Sequence, residues 1–522
     1  MDALADSLKV IADWITQHIT MWALIATGLF LTVVTRGVQV RHLPTMIRQV
    51  ASSRSGARGG ISSFQAFAIS LAARVGVGNV FGVAAALLYG GPGAVFWMWV
   101  VALVGMATAF FEATLAQIFK VRAPDGSFRG GPAFYMARGM GGAGGRVMAG
   151  VFAVITLVTC GFIITSVQSN AVAGTLVAAL GGGEGSALPG FGGLSAAQLV
   201  VAGLVLVLTA VVVFGGIRAV ARVTEWMAPV MALIYIVLVA VVCLLNLGDF
   251  WRVIGRIISS AFAPEPLVGG LGGGVLAAVI NGTKRGLFSN EAGQGTAPNA
   301  AATATVAHPV QQGLIQSLGV FVDTIVVCTA TAFVILIAGP DTWTAPGANP
   351  STLTTLAIAH GLGGWTVLPM AVLIFVLAYS SIIAAYVYTD VNMDYLTGGR
   401  RWASWTVRVV SVASATAGAV LSLDVVWNAV DIAMAVMTLT NLVALIRLHR
   451  WGAGALRDYE DQLWAGAAEP VFRGRDNPRL PGDVPGGVWS SSDDADVTAA
   501  DSDDGSAPAP PAASPAPATT EE

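Results

Sequence analysis

Long apolar segments separated by short connections run through most of the chain. A membrane-spanning helix needs about 20 mainly apolar residues, and eleven segments meet this requirement: near 19–36, 62–88, 93–119, 147–180, 197–215, 226–247, 270–289, 311–338, 364–389, 404–422 and 425–448. Charged residues make up only 11% of the 522 residues, whereas a soluble domain carries about a quarter. We therefore predict an all-α, polytopic membrane protein with 11 transmembrane helices.

Lysine and arginine residues concentrate in alternate connections. Five arginines lie in the first connection, and Lys120 with four arginines lies in the third. The series continues at every second connection with Arg218, Arg222, Lys284, Arg285, Arg400, Arg401 and Arg408. Of the intervening connections, 89–92, 181–196, 339–363 and 423–424 contain no Lys or Arg, and 248–268 holds only Arg252 and Arg256. Because basic residues stay on the cytoplasmic side, we predict a protein of the inner (plasma) membrane with its N-terminus outside and its C-terminus inside.

These spans divide the chain into five parts. Residues 1–18 form an extracellular N-terminus, 19–61 an extra helix with a basic cytoplasmic loop, 62–247 and 248–450 two halves of five spans each, and 451–522 a cytoplasmic tail. From Pro485 onwards the tail has no Lys or Arg, many Asp and a Pro/Ala-rich end. Such a segment cannot bury enough apolar surface to fold, so we predict a largely disordered tail. A solvated tail of no specific function is favoured over a regulatory segment.

The composition gives no support to several function classes. A net charge of −3 offers no basic surface for nucleic acid. Cys160, Cys243 and Cys328 lie in apolar runs without disulfide or metal-ligand spacings, and the motifs GxxxxGK[ST] and HExxH are absent. We expect a monomer in the lipid bilayer with no catalytic residue, no cofactor and no metal other than a coupling ion. A membrane-embedded enzyme and a channel are the weaker alternatives.

Two spans are interrupted by glycine and polar residues. The first interruption is AARVGVGNVFG (72–82) in the second span, and the other is NGTKRGLFSNEAGQGTAPN (281–299), in and beyond the seventh. Irregular backbone at membrane depth survives only where it lines a cavity or is buried in protein. Close helix packing through small residues is an equal alternative for the first segment, and an ordinary cytoplasmic loop is the alternative for the second.

One interruption opens spans two to six, and the other opens spans seven to eleven. This arrangement of five plus five spans behind an extra helix predicts an inverted repeat, because an odd number of spans turns the second copy over in the membrane. In transporters with such repeats, the broken helices present N–H groups to an anionic substrate and freed carbonyls to a cation. The sequence therefore indicates a secondary transporter.

These segments resemble the alanine or glycine:cation symporter family (sodium:alanine symporters) over about residues 20–450. The matching stretches include VGVGNVFGVAAAL (75–87), GGPAFYM (130–136), QSN (168–170), RGLFSNEAGQGTAPNA (285–300) and HPVQQG (308–313). The resemblance implies a LeuT-type 5+5 inverted repeat with an extra N-terminal helix. It also implies symport of Na+ with a small neutral amino acid such as alanine or glycine. Proton coupling and a broader specificity for neutral amino acids remain alternatives.

Chemistry and the resemblance together suggest which residues bind the substrate. A zwitterionic amino acid needs donors for its carboxylate, and the backbone N–H groups of Val77, Gly78 and Asn79 lie at the first break. Gln168 resembles the glutamine of the family's QSN motif, with interhelical hydrogen bonding as the alternative role. Phe288 resembles an aromatic wall of the pocket.

The resemblance also implies the atoms that bind sodium. In LeuT-type folds these are carbonyls of the first broken helix and hydroxyls of the eighth core helix. The matching atoms here are the carbonyls of Ala72, Val75 and Leu377 and the hydroxyls of Ser380 and Ser381. Adjacent serines in an apolar helix can instead bond back onto their own helix, which is the alternative.

Two positions depart from the family pattern. Val77 stands where the family commonly has Thr, and Ala385 stands where it typically has Trp. If Ala385 lines the substrate pocket, the loss of Trp bulk predicts room for side chains larger than methyl. The alternative is that Tyr386 or Tyr388 fills the space.

Four charged residues lie in or beside predicted spans: Arg74, Glu112, Asp323 and Asp431. An unpaired charge at the bilayer centre costs at least about 2.5–3.5 kcal/mol. Salt-bridged gating or structural pairing is therefore favoured over direct substrate contact. The sequence alone does not identify their partners.

Overall fold

The computed structural model describes residues 10–52, 60–123, 126–179, 194–263, 274–345, 348–421 and 424–489. The long helices and the segments that lead into and out of the breaks are α1 (Met21–Val34), α2 (Ser63–Arg74), α3 (Val83–Gly90), α4 (Gly93–Ile118), α5 (Gly142–Val158), α6 (Thr165–Ala179), α7 (Ala196–Val213), α8 (Gly216–Leu245), α9 (Leu247–Ala261), α10 (Gly274–Asn290), α11 (Ala297–Ala301), α12 (Pro309–Val320), α13 (Thr329–Ile337), α14 (Pro350–Leu362), α15 (Val367–Thr397), α16 (Arg401–Val420) and α17 (Asp424–Trp464).

Shorter elements lie between the long helices, some of them inside a span. Further helices are Val38–Arg41, Leu43–Ser52, Pro132–Tyr135 and Pro340–Trp343, and π-helical segments are Thr16–Thr20, Gly78–Gly82, Met136–Met140, Thr159–Ile164 and Phe321–Cys328. Among the described residues one antiparallel pair of strands occurs, β1 (Val121–Arg122) and β2 (Phe128–Arg129). The helices α9 and α14 lie in stretches that the hydropathy pattern assigns to connections.

Eight helices in the described part of the chain are long and apolar enough to cross a membrane, and Ser63–Arg74 with Gly78–Gly90 makes nine if this bent pair is one span. Of the eleven predicted spans, α10 and α16 fall short of that measure. The helix α10 is short because it ends at Asn290 and resumes only at Ala297 as α11. The prediction of an all-α chain with many spans is therefore confirmed, and the weakness of the seventh span reflects a real break.

Local sequence explains where several helices begin and end. The helices α2 and α7 begin at capping boxes in which Ser62 and Ser195 accept hydrogen bonds from backbone N–H groups of the first turn. His308 caps α12 in the same way. The helix α15 ends at Gly398, whose φ of +67° suits a residue without Cβ. The helices on either side of the two breaks are thus defined by their own sequence.

Ion pairs distinguish the two ends of the helix bundle. Arg41, which follows α1, lies 2.8 Å from Glu460 near the end of α17, and we call this the Glu460 end. Lys284 of α10 lies at the opposite end, where its Nζ is 2.9 Å from Asp13 and 2.5 Å from Asp431. We call this the Lys284 end. The parallel helices α1 and α17 connect the two.

The position of Lys284 corrects one part of the sequence prediction. Lys284 and Arg285 were assigned to a cytoplasmic connection, but both lie inside α10, and Lys284 pairs at the end opposite the Arg41–Glu460 pair. That assignment is wrong because the helix breaks after Asn290, so the connection that follows this span begins only after α11.

The residues after α17 fold back onto the Glu460 end. The N–H of Phe472 donates to the carbonyl of Ala307 at 3.0 Å, and Nε1 of Trp489 donates to the carbonyl of Gln117 at 3.0 Å. We call residues 471–489 the C-terminal strap. Phe472 is buried and Trp489 packs against it edge-on, so the strap is ordered against the bundle, including residues 485–489 at the start of the segment for which we predict disorder. Residues 490–522 of the predicted tail lie outside the described residues.

Candidate functional site

The first broken helix unwinds between α2 and α3. The helix α2 ends at Arg74, and its axis makes an angle of 46° with the helical segment that follows the break. Inside the turn, the N–H of Gly76 donates to the carbonyl of Arg74 and to Oδ1 of Asn79, both at 2.9 Å. Asn79 is completely buried. The irregular backbone is therefore enclosed in protein, as membrane depth requires.

At the break in the second broken helix, a buried carboxylate accepts hydrogen bonds from the backbone. Glu291, Gly293 and Gly295 have positive φ values of 54°, 90° and 80°, so the chain cannot continue as a helix there. Glu112 of α4 accepts hydrogen bonds from the N–H groups of Gly293 at 3.2 Å and Gly295 at 2.8 Å. Nδ2 of Asn441 donates to it at 2.5 Å. Glu112 thus caps the N–H groups that the break leaves without helical partners.

Asn79 connects the two broken helices to the π-helical segment after α12. Its Nδ2 donates to Oδ1 of Asp323 at 2.6 Å and to Oγ of Ser289 at 3.0 Å. The hydroxyls of Ser289 and Thr324 each donate to Oδ2 of Asp323 at 2.8 Å. Sequence reasoning identified Asn79 but missed Ser289 and Asp323 as its partners. The available signal was the RGLFSNEAGQG motif, which contains Ser289.

The serine pair of α15 faces the end of α2. The hydroxyl of Ser380 donates to the carbonyl of Ala72 at 2.9 Å, and the hydroxyl of Ser381 reaches the same oxygen at 3.1 Å. Both hydroxyls also contact the carbonyl of Leu377, at 2.7 and 3.4 Å. Back-bonding onto the same helix therefore accompanies the contact with α2. The structure brings four of the five predicted sodium ligands together, and Val75, the fifth, lies buried at the end of α2.

Gln168 and Phe288 approach the first break from different helices. A Cβ built on Gly76 would lie 3.5 Å from Nε2 of Gln168, so this amide faces the break from α6. Oε1 of Gln168 is buried and has no hydrogen-bond partner among the described residues. A Cβ on Gly78 would lie 3.2 Å from Cδ1 of Phe288, and Phe288 lines a cavity together with Val77. The predicted substrate residues of three helices thus converge on the break.

The backbones of Asn79 and Ala385, two of the predicted substrate residues, take part in local hydrogen bonds. The N–H of Asn79 donates to the carbonyl of Gly76 at 3.3 Å, so this group is engaged within the break itself. Ala385 is buried and lies one helical turn beyond Ser381, on the same face of α15. Its carbonyl accepts a hydrogen bond from Thr389 at 2.8 Å.

The four charged residues in or beside the spans have partners of different kinds, some charged and some neutral. Asp431 forms the ion pair with Lys284 described above. Nη1 of Arg74 donates to the backbone and side-chain oxygens of Gln316, both at 3.2 Å. Its Nε and Nη2 are buried and lack hydrogen-bond partners among the described residues. Of the four charges, Asp431 is thus in a salt bridge, whereas the hydrogen bonds described for Glu112, Asp323 and Arg74 are to neutral groups.

Cavities lie at both ends of the bundle, and the one at the Lys284 end reaches the first break. At the Lys284 end, a cavity of about 180 Å³ is lined by residues that include Val77, Phe81, Arg285, Phe288 and Ser351. At the Glu460 end, a cavity of about 600 Å³ is lined by residues that include Ile61, Arg129, Thr303, Tyr386 and Asp390. Phe288 also packs against a small apolar cluster of Ile163, Val167, Val430 and Met434.

Sequence comparisons identify relatives along most of the chain. The model of the sodium:alanine symporter family matches residues 1–474. The chain is 40% identical to the amino-acid carrier protein AlsT of Bacillus subtilis (strain 168), over 92% of this chain and 97% of AlsT. It is 38% identical to the "Probable sodium/glutamine symporter GlnT" of the same strain, over 88% and 92%. It is 36% identical to the sodium/alanine symporter AgcS of Methanococcus maripaludis (strain DSM 14266), over 81% and 90%.

The fold is similar to that of a solved structure. The crystal structure of MhsT in complex with L-phenylalanine matches with a TM-score of 0.53 and 16% identity, over 77% of this chain and 93% of MhsT. At this identity the likeness concerns the fold alone. The relatives above are named as carriers and symporters, and the protein is accordingly a multi-pass membrane transporter and not an enzyme. The chain belongs to the sodium:alanine symporter family.

Proposed function

We propose that this protein couples inward movement of Na+ to uptake of a small neutral amino acid such as alanine or glycine. The observation that carries the proposal is the contact between the hydroxyls of Ser380 and Ser381 and the carbonyl of Ala72, at 2.9 and 3.1 Å. A helix end that presents carbonyls to two hydroxyls offers the hard oxygen ligands of an alkali cation. Membership of a sodium:alanine symporter family supports the same ion and substrate class.

The proposed architecture has eleven spans in a 5+5 inverted repeat behind the extra helix α1. Two broken helices, α2–α3 and α10–α11, open the two halves, as such a repeat requires. The Glu460 end is the cytoplasmic one, because Lys and Arg accumulate there. The Lys284 end is then extracellular, which puts the N-terminus outside. We propose a monomer, because each chain carries a full set of site residues.

The two ligands share one short segment of the first broken helix. Val77 and Gly78 present N–H groups for the substrate carboxylate at the start of the resumed helix, whereas Ala72 and Val75 present carbonyls for Na+ at the end of α2. Gln168 supplies a side-chain amide, and Phe288 forms the wall towards the outside. Because both ligands order the same turn, each raises the affinity for the other, and this reciprocity is the basis of coupling.

Uptake into proteoliposomes tests the proposal directly. A panel of labelled amino acids would be supplied with and without an inward Na+ gradient, and we expect accumulation of alanine or glycine only with the gradient. Uptake driven by a pH gradient without Na+ would favour proton coupling. Ion conductance without amino-acid flux would favour a channel.

We expect Gly78→Val to abolish amino-acid binding in a folded protein. A Cβ at this position would lie 3.2 Å from both Cδ1 of Phe288 and Cα of Ser289, so a branched side chain occupies the break and displaces the substrate carboxylate. Gly82→Ala is the matched control, because its Cβ would lie 3.9 Å from Phe288, an ordinary contact. Calorimetric titration of both purified variants gives the result. Normal binding by Gly78→Val would mean that this glycine serves packing alone.

Size selectivity provides a test of Ala385. The relatives named for alanine and for glutamine have nearly equal identities, 36% and 38%, so overall similarity does not choose the substrate. We expect serine, cysteine, threonine, valine and glutamine to compete with alanine better here than in a relative with Trp at this position. Ala385→Trp should restore preference for alanine and glycine by about 1–3 kcal/mol per methylene excluded. Ala385→Leu is a second variant with a smaller side chain than Trp, and it tests whether an effect of the Trp ring arises from overpacking. Identical rank orders in competition assays would show that Tyr386 or Tyr388 already fills the space.

A further inference from the structure

One arginine lines the small cavity at the Lys284 end and has no ion-pair partner in the described part of the chain. Arg285 borders this cavity of about 180 Å³ together with the apolar side chains of Val77, Phe81 and Phe288. Its Nε is buried and has no hydrogen-bond partner among the described residues. None of the ion pairs in the described part of the chain includes Arg285. A half-buried guanidinium with unused donors is a site for an anionic ligand.

The adjacent basic residue has a different role. Nζ of Lys284 is held by Asp13 at 2.9 Å and by Asp431 at 2.5 Å, so it ties α10 to the N-terminal helical segment and to α17. Its charge is therefore already compensated, whereas no carboxylate among the described residues pairs with Arg285. These two neighbouring residues therefore have different roles. Lys284 stabilises the packing of α10 against the other helices, and Arg285 lines the cavity.

Phe288 lies between this cavity and Gly78 of the first break. It lines the cavity, packs against the apolar cluster described above, and lies 3.2 Å from the position of a Cβ on Gly78. A molecule in the cavity thus lies beside Val77 of the first break and one side chain away from Gly78. The volume is below the roughly 300–1,000 Å³ of pockets for drug-sized ligands. It suits a small molecule with a carboxylate and a short apolar side chain.

We propose that Arg285 captures the carboxylate of the incoming amino acid in this cavity before Phe288 moves aside to admit it. The inference rests on the proposed function, because it takes the transported amino acid as the ligand. A guanidinium binds a carboxylate through two parallel hydrogen bonds, and a fixed positive charge in a low-dielectric cleft raises the local concentration of anionic groups. Capture at this position accelerates access to the central site and leaves the equilibrium affinity of that site unchanged.

The experiment compares Arg285→Gln and Arg285→Lys with a control arginine. Initial rates of alanine uptake into proteoliposomes at a fixed Na+ gradient give kcat and kcat/KM, and calorimetry on the purified protein gives Kd. For Arg285→Gln we expect kcat/KM to fall about tenfold or more while kcat and Kd stay unchanged. Arg285→Lys keeps the positive charge but lacks the planar guanidinium that forms two parallel hydrogen bonds. We therefore expect a smaller fall in kcat/KM for this variant. Arg252→Gln should change nothing, because Arg252 is largely exposed and pairs only with Asp249 among the described residues.

Each other outcome overturns the proposal. An unchanged kcat/KM in Arg285→Gln removes the capture role, and an equal loss of affinity in Kd moves Arg285 into the central site. If neither arginine variant folds, Ala85→Leu narrows the same cavity with Arg285 in place. It should lower kcat/KM without changing Kd, and an unchanged value again counts against capture. Absence of Na+-driven uptake by the wild type would instead defeat the proposed function itself.

Discussion

Replacing Glu112 with glutamine should nearly abolish transport. Oε1 of Glu112 accepts hydrogen bonds from the N–H of Gly295 and from Asn441, and Oε2 accepts one from the N–H of Gly293. Glutamine has a single acceptor oxygen, so its amide N–H₂ would face a backbone donor. A buried donor left unsatisfied costs about 1–3 kcal/mol. Because these donors shape the second break, the cost falls on the geometry of the site.

The measurement pairs uptake with thermal stability. We expect Glu112→Gln to lower the thermal midpoint in detergent and to reduce alanine uptake by about tenfold or more. Glu225→Gln is the matched control, because Glu225 accepts a hydrogen bond from the side chain of Gln65 at 2.9 Å and touches neither break within the described residues. Transport by Glu112→Gln at the wild-type rate would show that the break does not depend on this carboxylate.

Exchanging both Ser380 and Ser381 for alanine should raise the Na+ concentration needed for half-maximal transport at least about tenfold. Each hydroxyl lies within 3.1 Å of the carbonyl of Ala72, and each is proposed to bind the ion directly. Loss of a hydrogen bond or ligand contact to a charged partner is worth about 1.5–3 kcal/mol. Uptake at saturating Na+ should recover in large part, because the substrate ligands remain.

The control for the serine pair is another buried hydroxyl. Ser411→Ala on α16 removes a hydroxyl that has no hydrogen-bond partner among the described residues, so the sodium dependence should stay at its wild-type value. Initial uptake rates over a range of Na+ at constant ionic strength provide the comparison. An unchanged half-maximal concentration in the folded double variant would refute the sodium assignment.

The sequence predicted most of the spans because their apolar windows are long. The helices α4, α8 and α15 each exceed 25 residues and were found from composition alone. The helix α10 was harder, because its break shortens the apolar window and puts Lys284 and Arg285 at a depth where a connection was expected. Charge counting misled there for a physical reason: Lys284 is compensated by two carboxylates that only the folded chain brings near it.

Part of the candidate site was predictable from the sequence, and part was not. Family resemblance placed Ala72 and Ser381 together, and the structure brings their oxygens to 3.1 Å although they are 309 residues apart. The partners of Asn79 were not predictable, since Asp323 lies 244 residues away and nothing in its local sequence distinguishes it from other membrane-embedded acids. The partners of Glu112 were likewise not predictable, because they also lie far away in the sequence. Contacts between distant helices depend on packing, which hydropathy and motif spacing do not encode.

The C-terminal strap ties together elements on one side of the cavity at the Glu460 end. It joins the end of α4, through Gln117, and the connection before α12, through Ala307, to the chain that follows α17. Tyr386 and Asp390 of α15 line this cavity. We expect the strapped elements to move as one rigid body against α15 and α16. A probe attached just after residue 489 would then travel with α4 and with the connection before α12, and would report their motion relative to α15 during turnover.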